Sequence, residues 1–249
     1  MNSSRPSNYR IEIDGLRAFA VLSVVAFHAF PSLFVGGFIG VDIFFVISGY
    51  LITNILLEDL NHKKFSLLNF YERRARRILP ALYFVLLLIT IAVTFLMSPQ
   101  QLKDYGQSLI AAITFSSNFY FLLKADYWAQ SSEFIPLLHT WSLAIEEQYY
   151  LIFPILLYFF WRFYKNQIFW IFLGLSLVSL FISEWGSNNY PLANFYIPLT
   201  RAWELFLGSI AALIINKQGV KKNNTFALLG LSLIAFSVLS FDNLNITFF

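Results

Sequence analysis

The sequence predicts an all-α polytopic integral membrane protein. Three observations predict it: charge is scarce, apolar segments of membrane-crossing length follow one another, and basic residues gather between them. Only 12% of the 249 residues are charged, 58% are hydrophobic and Phe alone occurs 29 times, and the mean hydropathy is +0.63. A soluble domain carries about 25% charged residues. This chain has too little polar surface to cover a globule in water, so lipid is its solvent. Cys is absent, which removes disulfides, thiolate nucleophiles and Cys metal sites. Three His and no dense carboxylate cluster argue against a metal site.

The apolar segments fall at about 16–33, 37–57, 79–97, 106–123, 148–164, 167–183, 198–216 and 224–241. Each approaches the ~20 residues a helix needs to cross a bilayer. The first has no small-residue cleavage site after it, so it reads as an anchor that stays rather than a signal peptide. The segment 106–123 holds Gln107, Ser108, Thr114, Ser116, Ser117 and Asn118 and makes a poor span. If it crosses, Arg162, Lys165, Lys217, Lys221 and Lys222 fall outside with Lys103. If it dips in and returns, all but Lys103, Lys124 and Arg201 of the 17 basic residues lie inside with a cytoplasmic N-terminus. The positive-inside tendency favours the second arrangement. The expectation is therefore about seven transmembrane helices plus one re-entrant or eighth segment. Loops 34–36, 98–147 and 184–197 lie outside, and 58–78 and 217–223 lie inside. The basic clusters report topology, and no nucleic-acid partner is expected. An odd number of spans, with Asp242, Asn243 and Asn245 after the last, looks unfinished.

Ionisable groups within spans are expensive and mark function by default. Glu12, Asp14 and Arg17 open the first helix, and His28 follows Arg17 by eleven residues. That spacing is three turns plus ~20°, so both share a face, ~16 Å apart along the axis. Asp42 follows the turn at Val35–Gly37 by about as many residues as His28 precedes it. The two side chains are thus expected at similar depth on antiparallel helices. A carboxylate beside an imidazole fixes its tautomer and raises its basicity; the pair reads equally as a buried ion pair joining two helices. Glu146 and Glu147 open the span at 148–164, and Arg201 and Glu204 that at 198–216. His28, Asp42, Glu146, Arg201 and Glu204 are expected to meet in a polar pocket near the outer face. For Glu147 the spacing favours a solvated helix-end carboxylate. The run Arg73, Arg74, Arg76, Arg77 precedes Pro80, which opens the next helix. The run reads as a positive-inside anchor or as a binding place for a phosphate-rich donor.

Several stretches resemble the acyltransferase-3 family, the group of O-antigen, exopolysaccharide and peptidoglycan O-acetylases. They are Tyr9–Ala18 with His28, Gly36–Tyr50 (GGFIGVDIFFVISGY), Asn69–Pro80 (NFYERRARRILP), His139–Leu151 (HTWSLAIEEQYYL) and Arg201–Leu205 (RAWEL). They run in order through most of the chain. The resemblance implies that Arg17 and His28 form the family's Arg-x10-His pair, with His28 catalytic. It implies that Arg74 and Arg77 form its Arg-x-x-Arg pair, linked to a cytoplasmic acyl-CoA donor, and that Glu146 is the acid of its Ser-Leu-x-x-Glu motif. Family members have about ten spans, and many carry an extracytoplasmic SGNH-type domain. Residues 1–249 are thus expected to be an acyltransferase-3 transmembrane domain truncated at its C-terminal end.

The expected activity is transfer of an acyl group, by family default acetyl, from cytoplasmic acyl-CoA to a hydroxyl of a cell-envelope polysaccharide or lipid-linked glycan. The expected place is the bacterial inner membrane. Acetyl-CoA would be a substrate, with no tightly bound cofactor. Arg17, Arg74 and Arg77 would serve the donor, His28, Asp42 and Glu146 the chemistry, and Arg201 and Glu204 the acceptor. The alternative is a proton-coupled transporter or flippase of envelope precursors, its His and carboxylates relaying protons. No repeat halves of the kind common in transporters are evident.

Overall fold

The computed structural model describes residues 10–128, 135–220 and 223–240. Tyr9, part of the predicted outer loop 98–147, Lys221, Lys222, Asp242, Asn243 and Asn245 lie outside the described residues. Within the described residues the chain forms ten α-helices and no strand. In order they are α1 (Ile11–Ala29), α2 (Ile39–Asn61), α3 (Leu67–Leu96), α4 (Pro99–Ile113), α5 (Ser117–Trp128), α6 (Thr140–Phe163), α7 (Ile168–Asn189), α8 (Pro191–Tyr196), α9 (Pro198–Gln218) and α10 (Asn224–Ser240). Five helical stretches are long and apolar enough to cross a membrane: α2, α3, α6, α9 and Lys165–Asn189, which is α7 with the short 3-10 turn before it. Of the seven predicted spans, α1 opens with three charged residues, and α10 has 17 residues.

Three boundaries differ from expectation, each for a local reason. Of the polar stretch 58–78, only residues 62–66 form a loop. α2 continues to Asn61, and Ser66 caps α3 by accepting from the Asn69 amide at 3.4 Å. Arg and Glu are good helix formers. Here they also pair, Arg76 with Glu72 one turn back at 2.7 Å and Arg73 with Asp59 of α2 at 2.6 Å. Pro80 therefore sits inside α3 rather than at its start, where it leaves the Arg76 carbonyl without an intrahelical donor. The span predicted from 148 begins at Thr140, so Glu146 and Glu147 lie in its second turn and not at its opening.

The third difference is the segment 106–123, which is two helices rather than one. α4 ends at Ile113 and α5 starts at Ser117. Between them Phe115 takes φ 52, in the left-handed region. Hydroxyls make the break tolerable: Thr114 donates to the Ile110 carbonyl at 2.9 Å and shares a 2.8 Å bond with Ser116. Side-chain groups thus satisfy the carbonyls that the ended helix leaves open.

The helices divide into two compact units. One is drawn from residues up to Thr53 and from Glu204 onward, the other from Asn54–Trp203. In the first, α2 crosses α9 at backbone contact. Gly49 faces the Leu205 main chain, and Gly208 faces the Val46 carbonyl. Beside the crossing the buried Thr53 hydroxyl donates to Ser209 at 2.8 Å. Small residues that let backbones meet, with a hydrogen bond across, are how helices associate where lipid removes the hydrophobic drive. Gly40 lets α2 approach Ala20 of α1 in the same way, and the Gly36 amide donates to the Val238 carbonyl of α10 at 3.0 Å.

In the second unit Phe70, Phe121, Phe153 and Phe172 are fully buried. Polar bolts fix the α4–α5 break to its neighbours. Ser117 donates to the Thr140 carbonyl at 2.8 Å, and Asn118 to the Tyr196 carbonyl at 3.0 Å. Leu87, Leu88, Ile91 and Phe95 of α3 are exposed apolar residues, as a lipid-facing surface requires.

Candidate functional site

Arg17, His28, Asp42 and Glu204 belong to the first unit, and Arg74, Arg77, Glu146 and Arg201 to the second. His28 lies in the last turn of α1 with its side chain exposed. Its Nδ1 is 2.8 Å from the Val24 carbonyl oxygen, one turn back on the same helix. A carbonyl only accepts, so Nδ1 carries the proton and the neutral ring keeps its lone pair on Nε2. The group that holds Nδ1 is the carbonyl of the ring's own helix rather than the carboxylate of Asp42, which is half-buried in the first turn of α2. Equal depth on two helices does not by itself make two side chains face each other. Arg17 is half-exposed on the same helix and pairs with Asp14 at 3.6 Å. Glu204 is 1% exposed.

The second unit holds a cavity of about 330 Å³ between α3, the α4–α5 break and α6. Its walls include Tyr71, Arg74, Phe115, Glu147, Gln148 and Tyr150. Arg74 is half-buried, its guanidinium 5.9 Å from the Phe70 ring and 5.7 Å from the Tyr150 ring. Such cation–aromatic contacts hold a guanidinium in place while leaving N–H groups to donate. Arg77, one turn on, is exposed and outside the cavity lining. The two arginines predicted as a pair therefore present themselves to different surroundings.

The acidic residue lining the cavity is Glu147; its neighbour Glu146, expected in a pocket near the outer face, is half-buried and not part of this lining. Glu147 is not a solvated helix-end carboxylate. One of its oxygens, Oε1, is buried and accepts no hydrogen bond. Gln148 holds the wall, donating to the Phe115 carbonyl at 2.7 Å and to Asn118 Oδ1 at 2.9 Å. These bonds fix the left-handed residue where it borders the cavity.

Arg201 opens α9 and rests on aromatic rings, 5.1 Å from Phe195 and 5.8 Å from Trp141. Those two rings are 4.3 Å apart. Neighbouring Tyr196 is buried, which pushes its phenol up to about 12 and keeps it neutral at physiological pH. The aromatic seat for Arg201 was not legible in its charge alone. The sequence signal was there in Trp141, within the HTWSLAIEEQYYL stretch, and in Phe195, six residues before Arg201.

Residues 10–246 match the Acyl_transf_3 family, described as an acyltransferase domain. The chain is 38% identical over 221 residues to an O-acetyltransferase OatA of Staphylococcus aureus (strain NCTC 8325 / PS 47), covering 85% of this chain and 36% of that protein. It is 40% identical over 215 residues to a peptidoglycan O-acetyltransferase OatA of Listeria monocytogenes, covering 83% of this chain and 34% of that one. A putative O-acetyltransferase, SAS0844, of Staphylococcus aureus (strain MSSA476) is 38% identical over 211 residues, covering 83% and 35%. The chain thus spans about a third of the length of these curated relatives. No solved structure matches. With nearly the whole of its length matched in order, the chain belongs to the acyltransferase-3 family.

Proposed function

We propose that this chain is the membrane part of an O-acetyltransferase that moves an acetyl group from cytoplasmic acetyl-CoA to a hydroxyl of a cell-envelope glycan. The observation that carries the reading is the fixed His28 tautomer, which leaves Nε2 as the basic nitrogen. Nε2 takes the proton of the acceptor hydroxyl as its oxygen attacks the thioester carbonyl. The C–O bond forms, the C–S bond breaks, and the imidazolium returns the proton to the departing thiolate. If His28 instead carries the acetyl group in transit, the same nitrogen is the nucleophile. The Listeria relative's name supports peptidoglycan as the acceptor class. On the donor side, exposed Arg77 suits CoA phosphates and Arg74 stands at the cavity wall. Arg17 remains assigned to the donor, Asp42 and Glu146 to support of the chemistry, and Arg201 and Glu204 to the acceptor.

The test is acetyl transfer in proteoliposomes with acetyl-CoA inside and a glycan acceptor outside. The expected result is new O-acetyl groups on the outer glycan. A transporter or flippase would move its cargo without forming them, and that result would overturn the reading. In the same assay Arg74→Lys keeps the charge but loses the planar fork and its seat on the rings. We expect the acetyl-CoA KM to rise about 10-fold, the loss of roughly one charge-assisted hydrogen bond. Arg77→Lys, exposed, should cost less, with both proteins at normal membrane levels. Equal losses, or poor insertion of either variant, would return the arginines to an anchoring role.

The reading also places the protein in the inner membrane with a cytoplasmic N-terminus. The chain lacks Cys, so single cysteines report sidedness directly. Ser187→Cys, exposed after the body of α7, should react with an impermeant thiol reagent added outside. His62→Cys, exposed between α2 and α3, should react only after the inner face is opened. The reverse pattern would invert the orientation.

A further inference from the structure

The cavity of the second unit carries one cation and one anion in its walls, Arg74 and Glu147, and most other polar capacity there is already used. The Tyr71 hydroxyl donates to the Leu151 carbonyl at 2.8 Å. The Gln148 amide donates to Phe115 and Asn118. The walls still offer a guest the guanidinium N–H groups of Arg74 and the carboxylate of Glu147, one oxygen of which, Oε1, is enclosed without a hydrogen bond. Buried acceptors are rarely left without a donor, so the carboxylate gains by turning toward a donor in the cavity.

The charges on the two walls select the chemistry of that guest. A phosphate or carboxylate would meet Arg74 but be repelled by Glu147. An ammonium would meet Glu147 but be repelled by Arg74. A secondary amide is neutral and carries an acceptor on one edge and a donor on the other. At about 330 Å³ the cavity is at the small end of ligand pockets, ~300–1,000 Å³, and its remaining lining includes Ala75, Ile78, Leu79 and Leu151. Those walls suit a thin, partly apolar chain rather than a nucleotide. We propose that Arg74 and Glu147 clamp a secondary amide of the pantetheine arm of the acyl-CoA donor. Arg74 donates to the amide carbonyl, and the Glu147 carboxylate accepts the amide N–H. The inference rests on the acyl-CoA reading above and makes Glu147 a substrate-binding residue of the donor path.

The experiment uses S-acetylpantetheine and two analogues, each with one amide N–H replaced by an ester oxygen. Kinetics are measured in proteoliposomes for wild type, Glu147→Gln and Glu147→Ala, alongside membrane abundance. A hydrogen bond to a charged group sets the scale, about 10- to 100-fold in kcat/KM. We expect one analogue to lose that factor with wild type, and Glu147→Ala to lose it with the natural amide. The two losses should not add, because both remove the same bond. Glu147→Gln keeps an oxygen acceptor of the same size and should fall between. A lesion that merely disturbs folding would lower all donors alike. Additive losses, or an unchanged rate with both analogues, would overturn the clamp while acetyl-CoA use stood. If wild type used no pantetheine thioester and no acetyl-CoA, the donor reading would fail first and the clamp with it.

Discussion

Replacing His28 with alanine is expected to lower glycan O-acetylation by about 10²–10⁴-fold, the usual contribution of a general base, with normal protein in the membrane. The separation of the two readouts follows from the geometry. The ring is exposed, and its one hydrogen bond is to the carbonyl of its own helix. That carbonyl keeps its place in the helix when the ring is gone, so little stability is lost. His62 and His139, the other two histidines, lie just outside α2 and α6, whereas His28 lies within α1. Asp42→Asn should be milder, because the Val24 carbonyl already holds the Nδ1 proton of His28. Its effect should multiply with that of a His28 variant rather than vanish in its presence. The measurement is the O-acetyl content of the envelope glycan beside the abundance of each variant. Substantial acetylation by well-inserted His28→Ala protein would remove His28 from the chemistry.

The second large effect is expected at the crossing of α2 and α9. A Cβ at Gly208 would collide with the Val46 carbonyl oxygen, and one at Gly49 with the Leu205 carbonyl. These obstacles are main chain inside two helices, so no side-chain rotation relieves them. The helices must separate, which strips van der Waals contact along the crossing and parts the hydrogen bond from Thr53 to Ser209. Overpacking of this kind costs about 1–3 kcal/mol and more where backbone must move. Gly208→Val and Gly49→Val should each leave little folded protein, read as detergent-solubilised yield and melting temperature. Gly174→Ala is the control. Nothing lies within 4 Å of its added Cβ, so it should be neutral or gain up to ~1 kcal/mol from helix propensity. Full yield from Gly208→Val would mean that the crossing is looser than described.

The helical, membrane-bound character was legible because composition and segment length decide it without regard to tertiary contacts. Helix starts were not, because the polar first turns of α3 and α6 look like loops to a hydropathy reading. At Leu67–Pro80 the arginines pair with Glu72 and Asp59, and the helix begins well before the apolar run. Helix rotation was also hidden. Glu146 and Glu147 are neighbours, but successive residues point ~100° apart, and the motif alone did not say which one lines the cavity. The same gap explains Asp42. Distance from a turn gives depth and not direction, so a pairing with His28 was expected where the Val24 carbonyl does the work. The break at Phe115 was half visible, since the Ser/Thr run marked a poor span without marking where it turns.

The crossing of α2 and α9 also sets a timetable. Thr53 and Ser209 are 156 residues apart in sequence, and a ribosome adds roughly 5–20 residues per second. α2 therefore waits on the order of 10–30 s in the translocon's surroundings before its partner exists. Through that interval the glycine face of α2 has only lipid or passing helices against it. The contiguous unit Asn54–Trp203 is synthesised entirely within the wait, so it is the part able to mature first. The unit holding His28 is completed last, when the chain comes back to meet its own beginning. Translation arrest before residue 204 would thus yield a membrane protein with the cavity of the second unit and without the α2–α9 crossing.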